Sequence, residues 1–353
     1  MSQTSSRPSG HTLLWVLCGL VVLILAVTAA YLAGRLARVE PEPKSEPEVT
    51  PSSPVAAKPS IVTPESKSSA EVARSSPVTA KPSIVTPRWA TPIEAEPNPA
   101  IVHDAELRKR ISATGRPWRV KDTATQIEML LVPPGTFQMG CWASSSYSCS
   151  SGESPVHTVT LTQAYYMGRY EVTQAQWEAK MGSNPSHFVG YSDSPSRPVE
   201  KVSWNTIQGF LSATGMRLPT EAEWEYAYRA GTTTAFHSMP GYPSGTNTDS
   251  LLGTIAWYAN NSSNQTHAVG TKAGNGFGLH DMSGNVWEWV KDWYDTYASG
   301  AQTDPVGPVS GSYRVVRGGS WNFVSGHCRA SYRYTGSPGL SANGLGFRVA
   351  RTP

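Results

Sequence analysis

The sequence predicts an α+β domain built largely from structured loops and large aromatic side chains, preceded by an apolar segment and a Pro/Ser-rich stretch. Three observations predict it. Charged residues make up only 16% of the 353-residue chain, which contains 31 Gly, 28 Pro and 12 Trp, a loop-rich composition unlike that of a helical bundle. Short strand-like runs and short capped helix signals alternate after about residue 104. Beyond Gly231 the chain is mostly turns, with Gly, Asn, Ser and Pro punctuating brief apolar pieces. The formal net charge is +3 without a long basic block, so the chain lacks the footprint of a nucleic-acid-binding protein. Four cysteines are too few for a disulfide scaffold and lack the paired spacing of a zinc site.

Residues 1–12 are a short N-terminal segment, followed by the uncharged run Leu13–Gly34. As a helix its 22 residues would span about 33 Å, enough to cross a bilayer core. A cleaved signal peptide is the rival reading, with Ala26-Val27-Thr28-Ala29 offering small residues for cleavage. The apolar run exceeds the usual signal core, and Arg7 is the single basic residue before it, which favours the anchor. Arg35 and Arg38 on the far side nearly balance Arg7 and the amino terminus, so charge alone does not orient the span.

Residues 35–103 form the stalk, with no aromatic until Trp89 and a near-duplication of SSPVAAKPSIVTP (Ser52–Pro64) as SSPVTAKPSIVTP (Ser75–Pro87). Two copies without apolar periodicity do not make a solenoid. Such a composition cannot offset its ordering entropy and is expected to be disordered. Its reach as an extended spacer is at most on the order of 190 Å.

The folded domain is expected over residues 104–353. Asp104–Thr114 has the pattern of a short amphipathic helix, and Glu128–Val132 and Val156–Leu161 those of strands. Thr173-x-x-Gln176 and Thr220-x-x-Glu223 are capping boxes that open helices, with Gly182 and Gly231 placed to end them. Ser203 caps a third helix that ends at Gly215. Glu221, Glu223 and Glu225 in the second boxed helix are expected to face water while Trp224, Tyr226 and Tyr228 pack. Trp287 and Trp289 flank Glu288 at the spacing that puts two rings on one side of a strand. Cys141 and Cys149 close a nine-residue loop if bridged, a constraint contributing roughly 2–3 kcal/mol. A bridge there favours an oxidising, extracytoplasmic compartment, and two free loop thiols are the alternative.

Seven segments form an ordered series: LVPPGTFQMG (Leu131–Gly140), YEVTQAQW (Tyr170–Trp177), PVEKVSWN (Pro198–Asn205), MRLPTEAEWEYA (Met216–Ala227), NGFGLHDMSGNVWEW (Asn275–Trp289), VVRGGSW (Val315–Trp321) and GLGFRVA (Gly344–Ala350). From Glu128 to Arg351 this series resembles the sulfatase-modifying-factor family, to which the formylglycine-generating enzyme belongs. The resemblance implies a variant of the C-type-lectin fold, poor in regular secondary structure and rich in Trp and Gly.

Calcium favours six to eight oxygens, mixing carboxylates with backbone carbonyls in tight turns, and Asp281–Glu288 offers both. By resemblance, Asp281 and Glu288 would supply side-chain oxygens and Gly284 and Val286 carbonyls; a turn closed by hydrogen bonds alone is the other reading. A second family calcium site would use Asn260 and Asn261, but the downstream Asp it needs is not evident.

The family's oxidase holds copper(I) between two cysteine thiolates five residues apart after the Gly-Gly-Ser, soft ligands suited to that ion. Here Cys328 falls at the second position, whereas Phe323 occupies the first and cannot ligate, so copper is not expected. Cys328, Ser320 and His327 are the candidate residues for a modified catalytic site, with burial as a small apolar residue the alternative for Cys328. No HExxH, GxSxG or P-loop motif is present, and Gly274-x-Gly276-x-Gly278 lacks a strand-to-helix context.

Three functions compete. The stretch Trp321–Asn343, rich in Trp, Tyr, Ser, Asn and Gly, suits a binding surface for a protein or peptide, with Trp321, Asn322, Phe323, Tyr332 and Tyr334 as contacts. An enzyme acting through Cys328, or a passive accessory subunit of an envelope complex, are the alternatives. The expected arrangement is a single-pass anchor presenting the domain outside the membrane.

Overall fold

The computed structural model describes residues 84–142 and 147–353. The apolar run Leu13–Gly34 and the first repeat lie outside the described residues, and among those described no helix is long and apolar enough to cross a membrane.

The first sheet orders its strands β1 (Ala90–Glu94), β2 (Arg119–Asp122), β3 (Glu128–Val132), β6 (Tyr165–Gly168) and β14 (Ala350–Arg351), antiparallel throughout. It joins the two ends of the domain. The strand β1 corrects the expected boundary at residue 104, since 90–94 belong to the fold and not to the stalk. The first aromatic after the stalk explains why: Trp89 packs edge-on against Tyr166 at 5.4 Å and carries the Arg351 guanidinium on its ring.

A second sheet pairs β4 (Gly135–Met139) with β5 (His157–Leu161), and β10 (Gln302–Thr303) runs parallel beside β5. The third orders β12 (Arg333–Gly336), β11 (Arg314–Arg317), β9 (Trp287–Trp293) and β13 (Leu345–Gly346). A short parallel pair, β7 (Ala256–Trp257) and β8 (Ser283–Gly284), lies at the turn that precedes β9.

Four α-helices among the described residues follow their local signals. The first, α1 (Ala105–Ala113), is capped by Asp104, whose carboxylate accepts from the backbone N–H of Glu106 and Leu107. In α2 (Gln174–Met181) Thr173 and Gln176 cap each other and Gly182 ends the helix at φ +76°. Ser203 caps α3 (Trp204–Thr214), which ends on Gly215 at φ +68°. Thr220 and Glu223 close the box of α4 (Glu221–Arg229), where the left-handed cap is Ala230, one residue before the expected Gly231.

The carboxylates of α4 depart from expectation. Glu221 and Glu225 are 4% and 0% exposed, not solvated. Glu225 is bonded to Arg229 and Arg317, and Glu221 to Arg333 at 2.6 and 2.8 Å. Both helix faces are therefore interior: Trp224 and Tyr228 fill the apolar side while arginines from β11 and β12 neutralise the acids. Trp118, Trp224 and Trp289 are among the largest fully buried side chains, and rings of this size bury about 150–250 Å² each, offsetting the scarcity of long elements.

Candidate functional site

The segment that follows β11 is positioned from below by a glycine turn. Gly318 and Gly319 have φ +97° and +78°, and a Cβ on Gly319 would lie 2.7 Å from the sulfur of Cys328. The chain thus folds back so that Cys328 plugs the space under the turn. It is fully buried beside Phe236, Leu252 and Ile255, and burial pushes its thiol up to about 12. That is the environment of an inert core thiol, which corrects Cys328 as a catalytic candidate.

Ser320 is likewise buried, and its hydroxyl donates to the Asn322 side-chain oxygen at 2.7 Å. It braces the turn. Trp321, expected on the binding surface, is 8% exposed, donates its indole N–H to the Asn343 carbonyl at 2.9 Å and packs edge-on against Phe188. It is a support and not a contact residue, while Asn322 beside it is exposed.

The remaining candidates do come together. Phe323, His327, Tyr332 and Tyr334 surround Trp287, with ring centroids 5.3, 6.3, 6.1 and 5.6 Å from its own. Trp287 is 4% exposed and forms the floor; Tyr334 is 47% exposed and lies stacked over it. Phe323, His327 and Tyr332 are half-buried walls, and Val324 and Leu340 stand exposed nearby in the sequence. Burial lowers the His327 imidazole below its ordinary value, so it is neutral at physiological pH. The Trp287 indole nitrogen is buried with no hydrogen-bond partner among the described residues.

The surface has charged foundations that local pattern did not reveal. Arg329 and Arg333, which alternate with the aromatic residues, are turned inward. Arg329 grips both oxygens of Glu153 at 2.8 and 2.9 Å, and Ser331 donates to the same carboxylate at 2.7 Å. Burial alone would push Glu153 up, but these bonds hold it below the usual carboxylate range. The exposed rim is therefore aromatic and hydroxylic while the charge stays below. Glu153 follows the bridge between Cys141 and Cys149, whose Cα atoms are 5.7 Å apart. A signal for Glu153 existed in the sequence: Ser150-x-x-Glu153 forms a capping box.

The turn expected to hold calcium is closed by protein groups instead. Glu288 accepts from Arg348 through both oxygens, at 2.6 and 2.7 Å, and from the Trp224 indole N–H at 2.7 Å. Asp281, in the left-handed region at φ +56°, accepts the Gly270 N–H. Gly284 rests on the backbone of Trp257, and the Val286 N–H donates to Glu171, a buried carboxylate absent from the expected set. Since a guanidinium occupies the Glu288 oxygens, the four residues do not fit calcium as a set. Burial pushes Asp281 up to about 6 and Glu171 well above its ordinary value.

Among the described residues no group of three or more His, Cys, Asp or Glu is arranged to hold a metal ion, and Cys328 is the one free cysteine. Phe323, at the position of the missing thiolate, faces Trp287 edge-on instead.

A family model described as "Sulfatase-modifying factor enzyme 1-like domain" matches residues 118–353. The chain is 30% identical over 297 residues to a formylglycine-generating enzyme of Streptomyces coelicolor, covering 66% of this chain and 90% of that one. It is 32% identical over 258 residues to the serine/threonine-protein kinase pkn1 of Chlamydia caviae, covering 66% of this chain. There it spans only 39% of the longer relative. Among solved structures, Treponema denticola variable protein 1 superposes with a TM-score of 0.57 at 34% identity, over 64% of this chain and 95% of that one.

Proposed function

This chain belongs to the sulfatase-modifying factor enzyme 1-like family, and we propose that it uses the scaffold to bind a protein or peptide ligand and not to oxidise a cysteine. The carrying observation is the pair of positions where that oxidation would need thiolates. One is Phe323, packed on Trp287, and the other is Cys328, sealed under Gly319 with its thiol pushed up to about 12. Copper(I) held linearly needs two accessible soft ligands, and neither position supplies one.

What supports binding is the ring cluster itself. Phe323, Tyr332 and Tyr334 offer large contact area with few torsions to freeze, which keeps the entropic cost of association low. Their backbone is held from beneath by the Arg329–Glu153 and Arg333–Glu221 pairs, so the surface is preformed. The solved relative at 34% identity is named a variable protein, which agrees with a role in recognition. Anchoring through Leu13–Gly34 with the domain outside the membrane belongs to the same proposal, and would leave the surface free to meet partners.

Two measurements test the reading. Selection of a displayed peptide library on the purified protein should yield ligands that Phe323→Ala and Tyr334→Ala each weaken by about tenfold or more, with unfolding midpoints preserved for Tyr334→Ala. Incubation with copper(I), oxygen and a cysteine-containing sulfatase peptide should leave the cysteine unmodified by mass spectrometry. Formylglycine formation, lost on Cys328→Ser, would overturn the proposal in favour of the enzyme.

A further inference from the structure

On another part of the domain, a cavity of about 590 Å³ lies between α3, the end of β9 and the Val306–Val309 loop. Among the described residues its lining contains Arg217, Lys291 and Arg314 and no carboxylate. Arg217 is committed to Glu223 at 2.6 and 2.7 Å. The other two cations are not ion-paired with any described residue; Asp292 is the acid whose field reaches both, without contact.

Arg314 is held in an unusual way. Its guanidinium lies 3.7 Å from the ring centre of Trp204 and 3.4 Å from that of Trp293, and the two indoles are inclined by only 23°. Both faces of the guanidinium are therefore covered, and hydrogen bonding is left to its edge. There Nη1 donates to the Lys291 carbonyl at 2.6 Å, while Nε is buried without a hydrogen-bond partner among the described residues. Burial opposes the charge on Arg314, so an incoming anion would relieve a cost already present in the fold. Apart from Gln208 and Ser212 the rest of the lining is mostly apolar, from Leu211, Met216 and Leu218 to Val306 and Val309, the last two 53% and 102% exposed at the rim.

We propose that this cavity binds a carboxylate that carries an apolar chain, the charge meeting the edge of Arg314 and the ammonium of Lys291, the chain lying on Trp204, Leu218 and Val306. A guanidinium clamped between two indoles has little rotamer freedom left to lose, and planar N–H donors match a carboxylate better than a mobile point charge does. The free acid of an alkyl chain and the carboxyl terminus of a peptide ending in an apolar residue share this chemistry.

The test titrates the full-length protein with sodium octanoate, octanamide, N-acetyl-alanyl-leucine and the amide of that dipeptide, followed by calorimetry and by tryptophan fluorescence. Octanoate, the free-acid dipeptide or both should bind, each about tenfold or more tighter than its amide, and more weakly as salt is raised. The stronger of the two identifies the source. Lys291 is exposed, so Lys291→Glu should keep the unfolding midpoint and lose about tenfold or more in affinity. Arg314→Lys, which keeps the charge but not the planar edge, should also weaken binding. Absence of binding by either acid, amides that bind equally well, or an unaltered affinity in folded Lys291→Glu each overturns the assignment.

Discussion

Gly319 and Cys328 touch across the turn that opens the candidate recognition surface: a methyl on the first would come within 2.7 Å of the sulfur of the second. The thiol is thus a packing element, and burial pushes it up to about 12. Native protein treated with iodoacetamide at neutral to mildly alkaline pH should show no alkylation of Cys328 by peptide mapping, which separates it from Cys18, and stoichiometric alkylation once unfolded. Rapid labelling of the native form would return Cys328 to the list of reactive groups. Gly319→Ala should be costly, because it combines a left-handed φ of +78° with this contact.

Glu225 anchors the charged interior. It is 0% exposed and takes donors from Arg229, Arg317 and the Gly140 N–H. Removing one partner of a buried pair leaves the other uncompensated, which costs about 3–5 kcal/mol. Glu225→Gln is therefore expected to lower stability by roughly that amount in urea unfolding; a loss under about 1 kcal/mol would mean that the network is not needed for the fold.

The buried carboxyls Asp292 and Glu200 should contribute stability that falls as pH rises toward neutrality. Burial pushes Asp292 and Glu200 up to about 7, so the folded protein retains two protons that the unfolded chain releases near pH 4. The contribution of these groups is fully present below the unfolded value and lost as pH climbs through about 7. Glu153 and Glu221 act in the opposite sense: their arginine partners outweigh burial and hold them low, so their contribution is lost on acidification. Burial lowers the His237 imidazole to about 4, so its contribution is likewise lost on acidification, and the Asp292 part has to be isolated by substitution. Asp292→Asn, which keeps an oxygen for the Glu221 N–H, should flatten the decline between about pH 5 and pH 7 in scanning calorimetry.

The bridge between Cys141 and Cys149 closes a short loop, with a sequence separation of 8. Its reduction should cost roughly 2–3 kcal/mol on the chain-entropy account. The loop leads to Glu153, so its release should also raise hydrogen exchange around Arg329 and Ser331. Unchanged exchange there would separate the disulfide from the surface it adjoins.

Helix boundaries were legible from residues a few positions apart. Thr173 with Gln176, Ser203 with Thr206 and Thr220 with Glu223 satisfy each other's backbone within one turn, so their signal survives without tertiary context. The family was legible too, because seven separate segments in one order specify a scaffold. The ring cluster was readable in part: Phe323, His327, Tyr332 and Tyr334 lie in one stretch, but their floor, Trp287, comes from β9.

The sequence by itself determined the caps, the family scaffold and the loss of a thiolate at Phe323, all of which rest on residue identity or short spacing. Tertiary structure alone decided the rest. Glu225 met its counter-ion Arg317 across 92 residues, Glu288 was taken by Arg348 across 60, and Cys328 was buried by a glycine turn nine residues upstream. A carboxylate or a thiol has no chemistry of its own until its surroundings set its charge, and those surroundings are assembled by strands distant in the chain.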